Sequence, residues 1–495
     1  MKYIIGIDIG TTSVKGIIID EFGNILNQVI KEYIVESKGD VCELDSEVYW
    51  SAVCYCINAL IVNNINSAQV AAISFSSQGE TLICVDKEGV PTRKAIIWLD
   101  NRSVNESEII KKQFDSHALY HTTGLPEVIP TWTATKILWL KVHEPHVFAN
   151  TAKYLMVSDY IIYKLTGIYV TEPSVVSSTL YFDIRNMTWW QDMLSFVGIN
   201  DEKLPMLYKS GQIVGNIMPS LENTTKLTVN TLVVTGAYDH AAGAVGCGNV
   251  AEGIATETTG ASMAMVVTMD NPLTQAALNL PCQCHAITGK YFLQPYGQTA
   301  GYALKWFRDE FCKELDIKEN EDVYKVMTQW ASEVPSGCDG LLILPHLAGA
   351  GSPEFDTQAC GVFYGIKADM GRAYFIRAIM EAVAYMIKKN IDVLSQRNII
   401  IKEIRALGGG AKSELWNQIK SDVVNIPYTT MNVTESPAYG VALMAGIAVD
   451  IFPNLEYCLQ NLVKSKTTYI PQSENNNYKK HYNKYCELYN KLKHF

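Results

Sequence analysis

The feature that most constrains the fold is a strand–turn–strand pattern that occurs twice, about half a chain apart. The first copy has an apolar, β-branched strand at Tyr3–Ile9, a polar turn at 10–13 and a returning strand at Val14–Asp20. The second copy spans residues 253–269 and has its turn at 260–262. Identity between the halves is slight, so the repeat is a pattern of turns, and it predicts two α/β domains that begin alike.

The length of the chain supports the same division. At 495 residues it is too long for one ordinary core, because single domains rarely exceed about 250 residues. We place the boundary near residue 245, which gives an N-terminal domain at 1–245 and a C-terminal domain at 246–495. Alternating strand-like and helical stretches predict a mixed sheet with helices in the first quarter of the chain.

Composition excludes several classes of protein. Hydrophobic residues make up 48% of the chain and charged residues 19%, which is typical of a folded soluble protein. The net charge of −10 argues against nucleic acid as the main partner, because surfaces that bind its phosphates are basic. The longest apolar stretches, such as Gly440–Ala448, are shorter than the ~20 residues that span a bilayer, and no export signal opens the chain. We therefore expect a cytoplasmic protein without a membrane partner.

Familiar metal and nucleotide motifs are missing. The twelve cysteines are scattered, and the pairs Cys54/Cys56 and Cys282/Cys284 lack the C-x-x-C spacing of zinc sites. Buried thiols are the simpler interpretation. The sequence contains no G-x-x-x-x-G-K-[S/T] and no G-x-G-x-x-G, so it supports neither a P-loop nor a dinucleotide site.

The two polar turns are candidate phosphate sites. In the first, Asp8 ends a strand and the hydroxyl-rich stretch Thr11-Thr12-Ser13 follows. Backbone N–H groups and hydroxyls in such a turn can face phosphate oxygens while a carboxylate holds hydrated Mg²⁺. An ordinary hairpin is an equally good interpretation of this turn alone. The second turn, Thr258-Thr259-Gly260-Ala261-Ser262, has the same chemistry, so the pair indicates two domains that hold one polyphosphate.

Two further positions indicate a phosphoryl-transfer enzyme. Gly408-Gly409-Gly410 lies between a strand and a helix and permits close backbone approach to a flat adenine and its ribose. A glycine-rich helix start with a packing role is the alternative. Asp239 lies between a strand and a small-residue helix, where a carboxylate can receive the proton of an acceptor hydroxyl. An Asp at that place is more often only a helix N-cap.

Two polar clusters follow strand-like segments and contain amide, carboxylate and guanidinium groups. Gln78 and Glu80 lie in the first cluster, and Trp98, Asp100 and Arg102 lie in the second. Such groups on loops are typical of sites that bind polyhydroxyl compounds. Exposed surface loops are an equally good interpretation.

Taken in order, these segments resemble the FGGY family of carbohydrate kinases. The most specific stretch is GGGAKSELWNQIKSD at 408–422, followed by ESPAYG at 435–440. IGIDIGTTSVKG at 5–16 and the residues around Asp239 agree with it. The resemblance covers nearly the whole chain. It implies two actin-like (ribonuclease H-like) domains, each a mixed five-stranded sheet with helices, around a central cleft.

The resemblance also implies roles for individual residues. The sugar would bind the N-terminal domain and ATP the C-terminal domain, with Asp239 as the catalytic base and Asp8 beside Mg²⁺. The implied substrate-binding residues are Gln78, Glu80, Trp98, Asp100, Arg102, Asp239 and His240. The implied nucleotide-binding residues are Thr11, Thr12, Ser13, Thr259, Gly260, Gly301, Gly409, Gly410 and Asn417.

The implied reaction is ATP-dependent phosphorylation of a hydroxyl of a small sugar. The patterns at 98–102 and 165–167 favour a ketopentose such as xylulose. Glu80-Thr81 instead is typical of kinases that act on a polyol such as glycerol or erythritol, and His240 and the turn at 258–262 also depart from the usual pattern. An actin-like ATP-binding protein without sugar kinase activity is the alternative from another class. A homodimer is a candidate assembly.

Overall fold

The chain divides into two units that exchange segments after residue 250. A computed structural model describes residues 1–62, 65–274, 279–313, 322–472 and 476–493. Unit 1 comprises Met1–Val250, Met269–Phe292 and Glu435–Lys464, and unit 2 comprises Ala251–Thr268, Leu293–Thr434 and Ser465–Phe495. The units therefore differ from a single division near residue 245, because two later segments return to unit 1. The assignment of sugar to one domain and nucleotide to the other stays a prediction.

Both units contain strands and helices. The strands are β1 (Tyr3–Ile9), β2 (Ser13–Asp20), β3 (Ile25–Glu32), β4 (Glu36–Lys38), β5 (Val41–Leu44), β6 (Val70–Ser77), β7 (Ile83–Val85), β8 (Ala95–Ile96), β9 (Lys153–Leu155), β10 (Val170–Thr171), β11 (Phe182–Asp183), β12 (Thr188–Trp189), β13 (Met206–Leu207), β14 (Ile213–Asn216), β15 (Leu232–Tyr238), β16 (Ile254–Thr259), β17 (Met263–Met269), β18 (Cys282–Cys284), β19 (Tyr291–Leu293), β20 (Tyr296–Gly297), β21 (Leu342–Pro345), β22 (Gly361–Tyr364), β23 (Glu403–Leu407), β24 (Tyr428–Met431) and β25 (Ser465–Tyr469). The α-helices are α1 (Ser46–Leu60), α2 (Val104–Gln113), α3 (Ser116–Thr123), α4 (Thr133–His143), α5 (Pro145–Asn150), α6 (Val157–Thr166), α7 (Pro173–Val176), α8 (Gln191–Val197), α9 (Glu222–Thr225), α10 (Asp239–Gly246), α11 (Gly301–Phe311), α12 (Val323–Ser332), α13 (Arg372–Ser395), α14 (Glu414–Val424), α15 (Ser436–Ala448), α16 (Leu455–Asn461) and α17 (Asn476–Leu492).

Unit 1 is built on a mixed sheet with the strand order β14-β15-β6-β1-β2-β3. Strand β2 pairs antiparallel with both β1 and β3, whereas β1, β6 and β15 run parallel to one another. Gly6 and Ile7 of β1 point to opposite faces, and α15 covers the Gly6 face while α1 covers the face that carries Ile7 and Gly16. Helices on both faces explain why the parallel strands are almost entirely buried.

Unit 2 repeats this topology. Strand β16 pairs antiparallel with β17 and parallel with β23, β17 pairs antiparallel with β20, and β24 lies parallel to β23 and antiparallel to β25. The order β25-β24-β23-β16-β17, with β20 paired to β17 off this path, thus matches the sheet of unit 1 in sequence of neighbours and in direction. The predicted mixed sheets with helices are confirmed. Within the described residues each sheet has at least six strands rather than five, because β14 and β25 extend one edge.

Close backbone packing joins the returning segment Glu435–Lys464 to unit 1. A Cβ added to Gly440 of α15 would lie 2.0 Å from the carbonyl oxygen of Ala242 in α10. On its other neighbour, β1, a Cβ added to Gly6 would lie 1.9 Å from the carbonyl oxygen of Ala438. Neither position has room for a side chain. The two glycines therefore let α15 lie directly on β1 and α10, and they fix the position of α10.

Replacing Gly440 with alanine tests this packing. In an exposed helix the change would stabilise the protein by about 1 kcal/mol, but here the added methyl must displace backbone. We expect Gly440→Ala to lower the free energy of unfolding by about 1–3 kcal/mol, measured by urea denaturation. Gly215→Ala is the control, because its Cβ would meet only the Ile168 side chain at 3.6 Å. A more stable Gly440→Ala protein would contradict the packing.

Candidate active site

Two predicted acidic residues of unit 1 meet at one edge of its sheet. Strands β1, β6 and β15 run parallel, so their carboxyl ends lie together. Asp8 is the register partner of Ser76, which is in turn the partner of Ala237. Asp239 begins α10 directly after β15. The topology therefore brings Asp8 and Asp239 together from opposite ends of the N-terminal domain.

Burial controls the acid–base behaviour of both carboxylates. It raises the pKa of Asp8 to about 7, and the charge of Asp239 adds to that rise, while the Ser76 hydroxyl donates to Asp8 Oδ1 at 2.7 Å and opposes it. Burial also raises the pKa of Asp239, although the charge of His240 and its N–H, which donates to Asp239 Oδ1 at 2.6 Å, act against the rise. The Asp239 side chain is still 30% exposed, so it is accessible to a ligand.

His240, the other predicted residue at this helix start, lies beside the Asp239 carboxylate. Its side chain is half-buried, with Nε2 3.9 Å from Asp239 Oδ1. Its ring packs edge-on against the ring of Tyr238 at 5.3 Å between centroids. The structure thus groups His240 with Asp239.

The first polar turn is tied to the neighbouring strand. The Gly10 N–H donates to the Ser13 carbonyl at 3.0 Å, and the Tyr33 N–H donates to the Thr12 carbonyl at 2.9 Å. The Tyr33 hydroxyl also donates to the Gly10 carbonyl. Within this fixed turn the Thr12 side chain is exposed and that of Ser13 is half-buried.

The hydroxyl of Thr11 is bonded on both sides to predicted sugar-binding residues. It accepts the indole N–H of Trp98 at 2.8 Å and donates to Gln78 Oε1 at 2.9 Å. Gln78 Nε2 donates onward to the Tyr49 hydroxyl at 2.9 Å. Gln78 and Trp98 are therefore brought together, and Thr11, which the resemblance assigns to the nucleotide, lies with them. Sequence reasoning did not find Tyr49, because its role depends on contact between α1 and the loop that follows β6.

Glu80 lies two residues after Gln78 and has an unusual backbone conformation. Its φ of 58° is in the left-handed region, which non-glycine residues rarely adopt outside strained or functional turns. Burial raises the pKa of Glu80 to about 7, and the charge of Asp239 adds to the rise. A hydrogen bond from Ser178 and the charge of Lys136 lower it. The predicted residues Glu80 and Asp239 are thus close enough to influence each other.

Lys136 ties the two predicted sugar loops together. Its Nζ donates to the carbonyl oxygens of Glu80 at 2.6 Å and Ile97 at 3.0 Å, and its side chain is completely buried. Burial lowers the pKa of Lys136 to about 7, although the charges of Glu80 and Asp100 oppose this. Sequence reasoning missed this residue. The sequence feature that could have identified Lys136 is the presence of a lysine on the apolar face of α4.

Asp100 and Arg102 bind each other. Arg102 Nε donates to Asp100 Oδ1 at 2.8 Å and Nη2 donates to Oδ2 at 2.7 Å. Asp100 also accepts the N–H of Cys42 at 2.6 Å, and Arg102 forms an ion pair with Glu43 at 2.6 Å. These bonds hold the loop that begins at Trp98. Direct contact of either residue with a substrate stays a prediction.

Unit 2 contains a pocket lined by five of the predicted nucleotide-binding residues. Its volume of about 970 Å³ lies within the range of small-molecule sites. The five predicted residues on its wall are Thr259, Gly260, Gly301, Gly409 and Gly410. Sequence reasoning did not select other residues of the wall, which include Tyr302, Lys305, Tyr324, Ser413, Glu414 and Trp416. The pocket therefore combines glycine backbone, aromatic rings and a few polar groups.

Glycines allow the second polar turn and the glycine-rich stretch to touch. A Cβ on Gly410 would lie 2.6 Å from the Cβ of Thr259, and a Cβ on Gly301 would lie 2.4 Å from the carbonyl oxygen of Gly260. Asn417 is buried and does not line the pocket; its Nδ2 donates to the Ala411 carbonyl at 2.9 Å. Asn417 thus supports the loop, and its contact with a nucleoside stays a prediction.

A buried ion pair lies against the second polar turn. Lys420 Nζ donates to Glu257 Oε2 at 2.7 Å and to Thr259 Oγ1 at 2.6 Å, and the Thr259 hydroxyl donates to the other Glu257 oxygen. Lys420 and Glu257 side chains are both 0% exposed. The pair therefore fixes the hydroxyl of Thr259. Sequence reasoning missed it, because the partners are brought together only when α14 packs on the sheet.

Breaking this pair should destabilise unit 2. Lys420→Met leaves Glu257 buried without its partner, so we expect a loss of about 3–5 kcal/mol in the free energy of unfolding. The double variant Glu257→Gln with Lys420→Met, which leaves no buried charge, should recover part of that loss. Lys491→Met is the control, because its pair with Glu487 is more than 60% exposed on both sides and is worth less than about 1 kcal/mol. Equal effects at Lys420 and Lys491 would contradict the buried pair.

The raised pKa of Glu80 predicts a pH-dependent stability. The folded protein holds the Glu80 proton up to a pH of about 7, whereas an unfolded Glu loses it near pH 4.3. Stability from this group is therefore present at low pH and lost as the pH rises through 7. Relative to Glu80→Gln, the parent protein should lose about 2 kcal/mol between pH 5.5 and pH 8. Urea unfolding of both proteins at the two pH values measures this, and an unchanged difference would contradict it.

Most of the cysteines are buried as free thiols, which agrees with the predicted buried thiols. Across the described ranges, no group of three His, Cys, Asp or Glu side chains is arranged to hold a metal ion. No helix in that part of the chain has the length and apolar character needed to cross a bilayer.

Comparison with known proteins assigns the family. The FGGY family of carbohydrate kinases matches by its N-terminal domain over residues 3–246 and by its C-terminal domain over residues 256–449. The xylulose kinase of Bacillus subtilis is 28% identical over the full chain and 98% of that relative, and the gluconokinase of the same organism is 29% identical over 90% of the chain and 87% of that relative. The solved structure of ligand-bound xylulose kinase from Lactobacillus acidophilus superposes with a TM-score of 0.91 at 26% identity, covering 99% of this chain and 98% of that one.

These matches confirm the predicted enzyme class. A kinase of this family phosphorylates a carbohydrate, and its phosphoryl donor is ATP. The chain belongs to the FGGY family of carbohydrate kinases.

Proposed function

We propose that this kinase transfers the γ-phosphoryl group of ATP to a hydroxyl of xylulose or a closely related ketopentose. The observation that carries the proposal is the position of Asp239, which lies partly exposed at the sheet edge beside Asp8 and Glu80. Full-length relatives named as xylulose kinases support the choice of sugar. A homodimer and a cytoplasmic location stay predictions.

Asp239 is the proposed general base. A carboxylate near the acceptor hydroxyl takes up its proton while the oxygen attacks phosphorus in line with the leaving group. Because burial raises the pKa of Asp239, it is a stronger base than an aspartate in water. His240 and Asp8, which border it, would position the hydroxyl and the phosphate respectively.

Charge at the sheet edge favours a neutral sugar over a sugar acid. Asp8, Glu80 and Asp239 all contribute carboxyl groups. Among the described residues, the cations that contact the two sugar loops are already bound: Lys136 by two carbonyl oxygens, and Arg102 by Asp100 and Glu43. A sugar acid such as gluconate would add a negative charge beside these carboxyl groups, where both cations already donate to protein oxygens. This supports xylulose although a gluconokinase is also a relative.

The acidic end of β1 fits a magnesium ion. Mg²⁺ in kinases is held by one or two carboxylates together with substrate phosphates and water. Asp8 supplies a half-buried carboxylate that a Ser76 hydroxyl already orients, and we propose that it holds the ion. The bound ion would neutralise phosphate charge. The exposed Thr12, with Ser13 and the N–H groups of the same turn, would contact phosphate oxygens.

The nucleoside is proposed to bind the pocket of unit 2. Glycine backbone at 409–410 allows a flat ring to lie close, and Trp416 and Tyr302 supply aromatic surface. The Thr259 hydroxyl is held by the Glu257–Lys420 pair, so the second turn would offer phosphate its backbone N–H groups. Thr259 was predicted to bind the nucleotide, and we propose that the backbone of its turn, rather than its side chain, makes this contact.

A substrate panel with a base variant tests the proposal. In a coupled ADP-release assay with xylulose, ribulose, gluconate, glycerol and erythritol, we expect the highest kcat/KM for xylulose and the lowest for gluconate. Asp239→Asn should lower kcat by about 10²–10⁴-fold while its Tm stays close to that of the parent. The exposed Asp192→Asn is the matched control and should keep full activity. Preference for gluconate or a polyol, or a fully active Asp239→Asn, would contradict the assignment.

A further inference from the structure

Adjacent threonines in the first polar turn have opposite surroundings. Thr12 is exposed, whereas the Thr11 hydroxyl lies between Trp98 and Gln78. A hydroxyl has one hydrogen to donate, and Thr11 gives that hydrogen to Gln78 Oε1 at 2.9 Å. Thr11 therefore has no second hydrogen for a phosphate oxygen while this bond exists.

The hydrogen bond from Thr11 to Gln78 is also held at its Gln78 end. Gln78 is 4% exposed, its backbone N–H donates to the Ile9 carbonyl at 2.9 Å, and its Nε2 donates to the buried Tyr49 hydroxyl at 2.9 Å. The amide nitrogen thus donates to Tyr49 while the amide oxygen accepts the hydrogen of Thr11. Rotating the Thr11 hydroxyl toward a phosphate would leave this buried oxygen without its donor, which is unfavourable.

The four side chains form one directed row of donors. Trp98 donates to Thr11, Thr11 donates to Gln78, and Gln78 donates to Tyr49. Hydrogen bonds arranged in one direction polarise and strengthen one another. Trp98 is half-buried, so its ring is both accessible to a ligand and anchored by Thr11.

We propose that Thr11 is a positioning residue for the sugar, and that its hydroxyl holds Trp98 and Gln78 in the arrangement that receives the substrate. Thr12 is then the side chain of this turn that serves the phosphates. The inference rests on the proposed function, because Gln78 and Trp98 are taken to face the sugar. Under this proposal Thr11 serves the sugar, and the neighbouring Thr12 serves ATP.

Kinetics of matched variants test the division. Thr11→Val keeps the shape but removes the hydroxyl, and we expect KM for xylulose to rise about ten-fold with KM for ATP within two-fold of the parent. Thr11→Ser restores the hydroxyl and should return KM for xylulose to near the parent value. Thr12→Val is the control and should raise KM for ATP instead. A rise in KM for ATP alone in Thr11→Val would overturn the proposal.

Two further measurements apply if Thr11→Val does not fold or if the parent protein is inactive on the sugar panel. If Thr11→Val does not fold, Trp98→Phe removes the donor at the other end of the bond and should raise KM for xylulose alone; a rise in KM for ATP would overturn the proposal. If the parent turns over no sugar of the panel, the proposed function fails by itself. Calorimetry with a non-hydrolysable ATP analogue then still tests Thr11, because Thr11→Val should bind the analogue like the parent and Thr12→Val should bind it more weakly.

Discussion

The arrangement of the site depends on one constraint, the parallel alignment of β1, β6 and β15. Because the three strands run in the same direction, whatever follows each of them is delivered to the same edge of the sheet. Asp8, the Gln78–Glu80 loop and Asp239 arrive there from three separate stretches of the chain. The contact of Gly440 with Ala242 then holds α10, so that the carboxylate at its start stays at this edge.

Burial determines the acid–base properties of the carboxyl groups at this edge of the sheet. Three carboxyl groups lie close together, and desolvation raises the pKa of each of them. Such a cluster is unfavourable for the fold by itself, and Lys136 stabilises it by holding both sugar loops through their carbonyl oxygens. A raised pKa makes the Asp239 carboxylate a stronger base, which suits it to take up a proton from an alcohol.

Local patterns were enough to predict much of this. The strand–turn–strand repeat, the position of Asp8 at a strand end and that of Asp239 at a helix start are all properties of short segments. The glycines at 409 and 410 were also visible, since glycine between a strand and a helix indicates close approach. Resemblance to the FGGY family then grouped these segments, which spacing alone could not do.

What the sequence did not reveal depends on contacts between distant elements. Lys136 and the Glu257–Lys420 pair are charged residues on buried faces, and their partners are defined only after helices pack on the sheets. The return of residues 435–464 to unit 1 depends on backbone contact at Gly440. The hydroxyl of Thr11 is the clearest case, because two adjacent threonines in one turn differ only in what the folded chain places around them.

A crystal structure of the protein with xylulose and a non-hydrolysable ATP analogue tests the central claim most directly. The account predicts a sugar hydroxyl within about 3 Å of an Asp239 carboxylate oxygen, with the terminal phosphate on the far side of that hydroxyl oxygen. A bound sugar whose hydroxyls all lie beyond hydrogen-bond reach of Asp239 would contradict it.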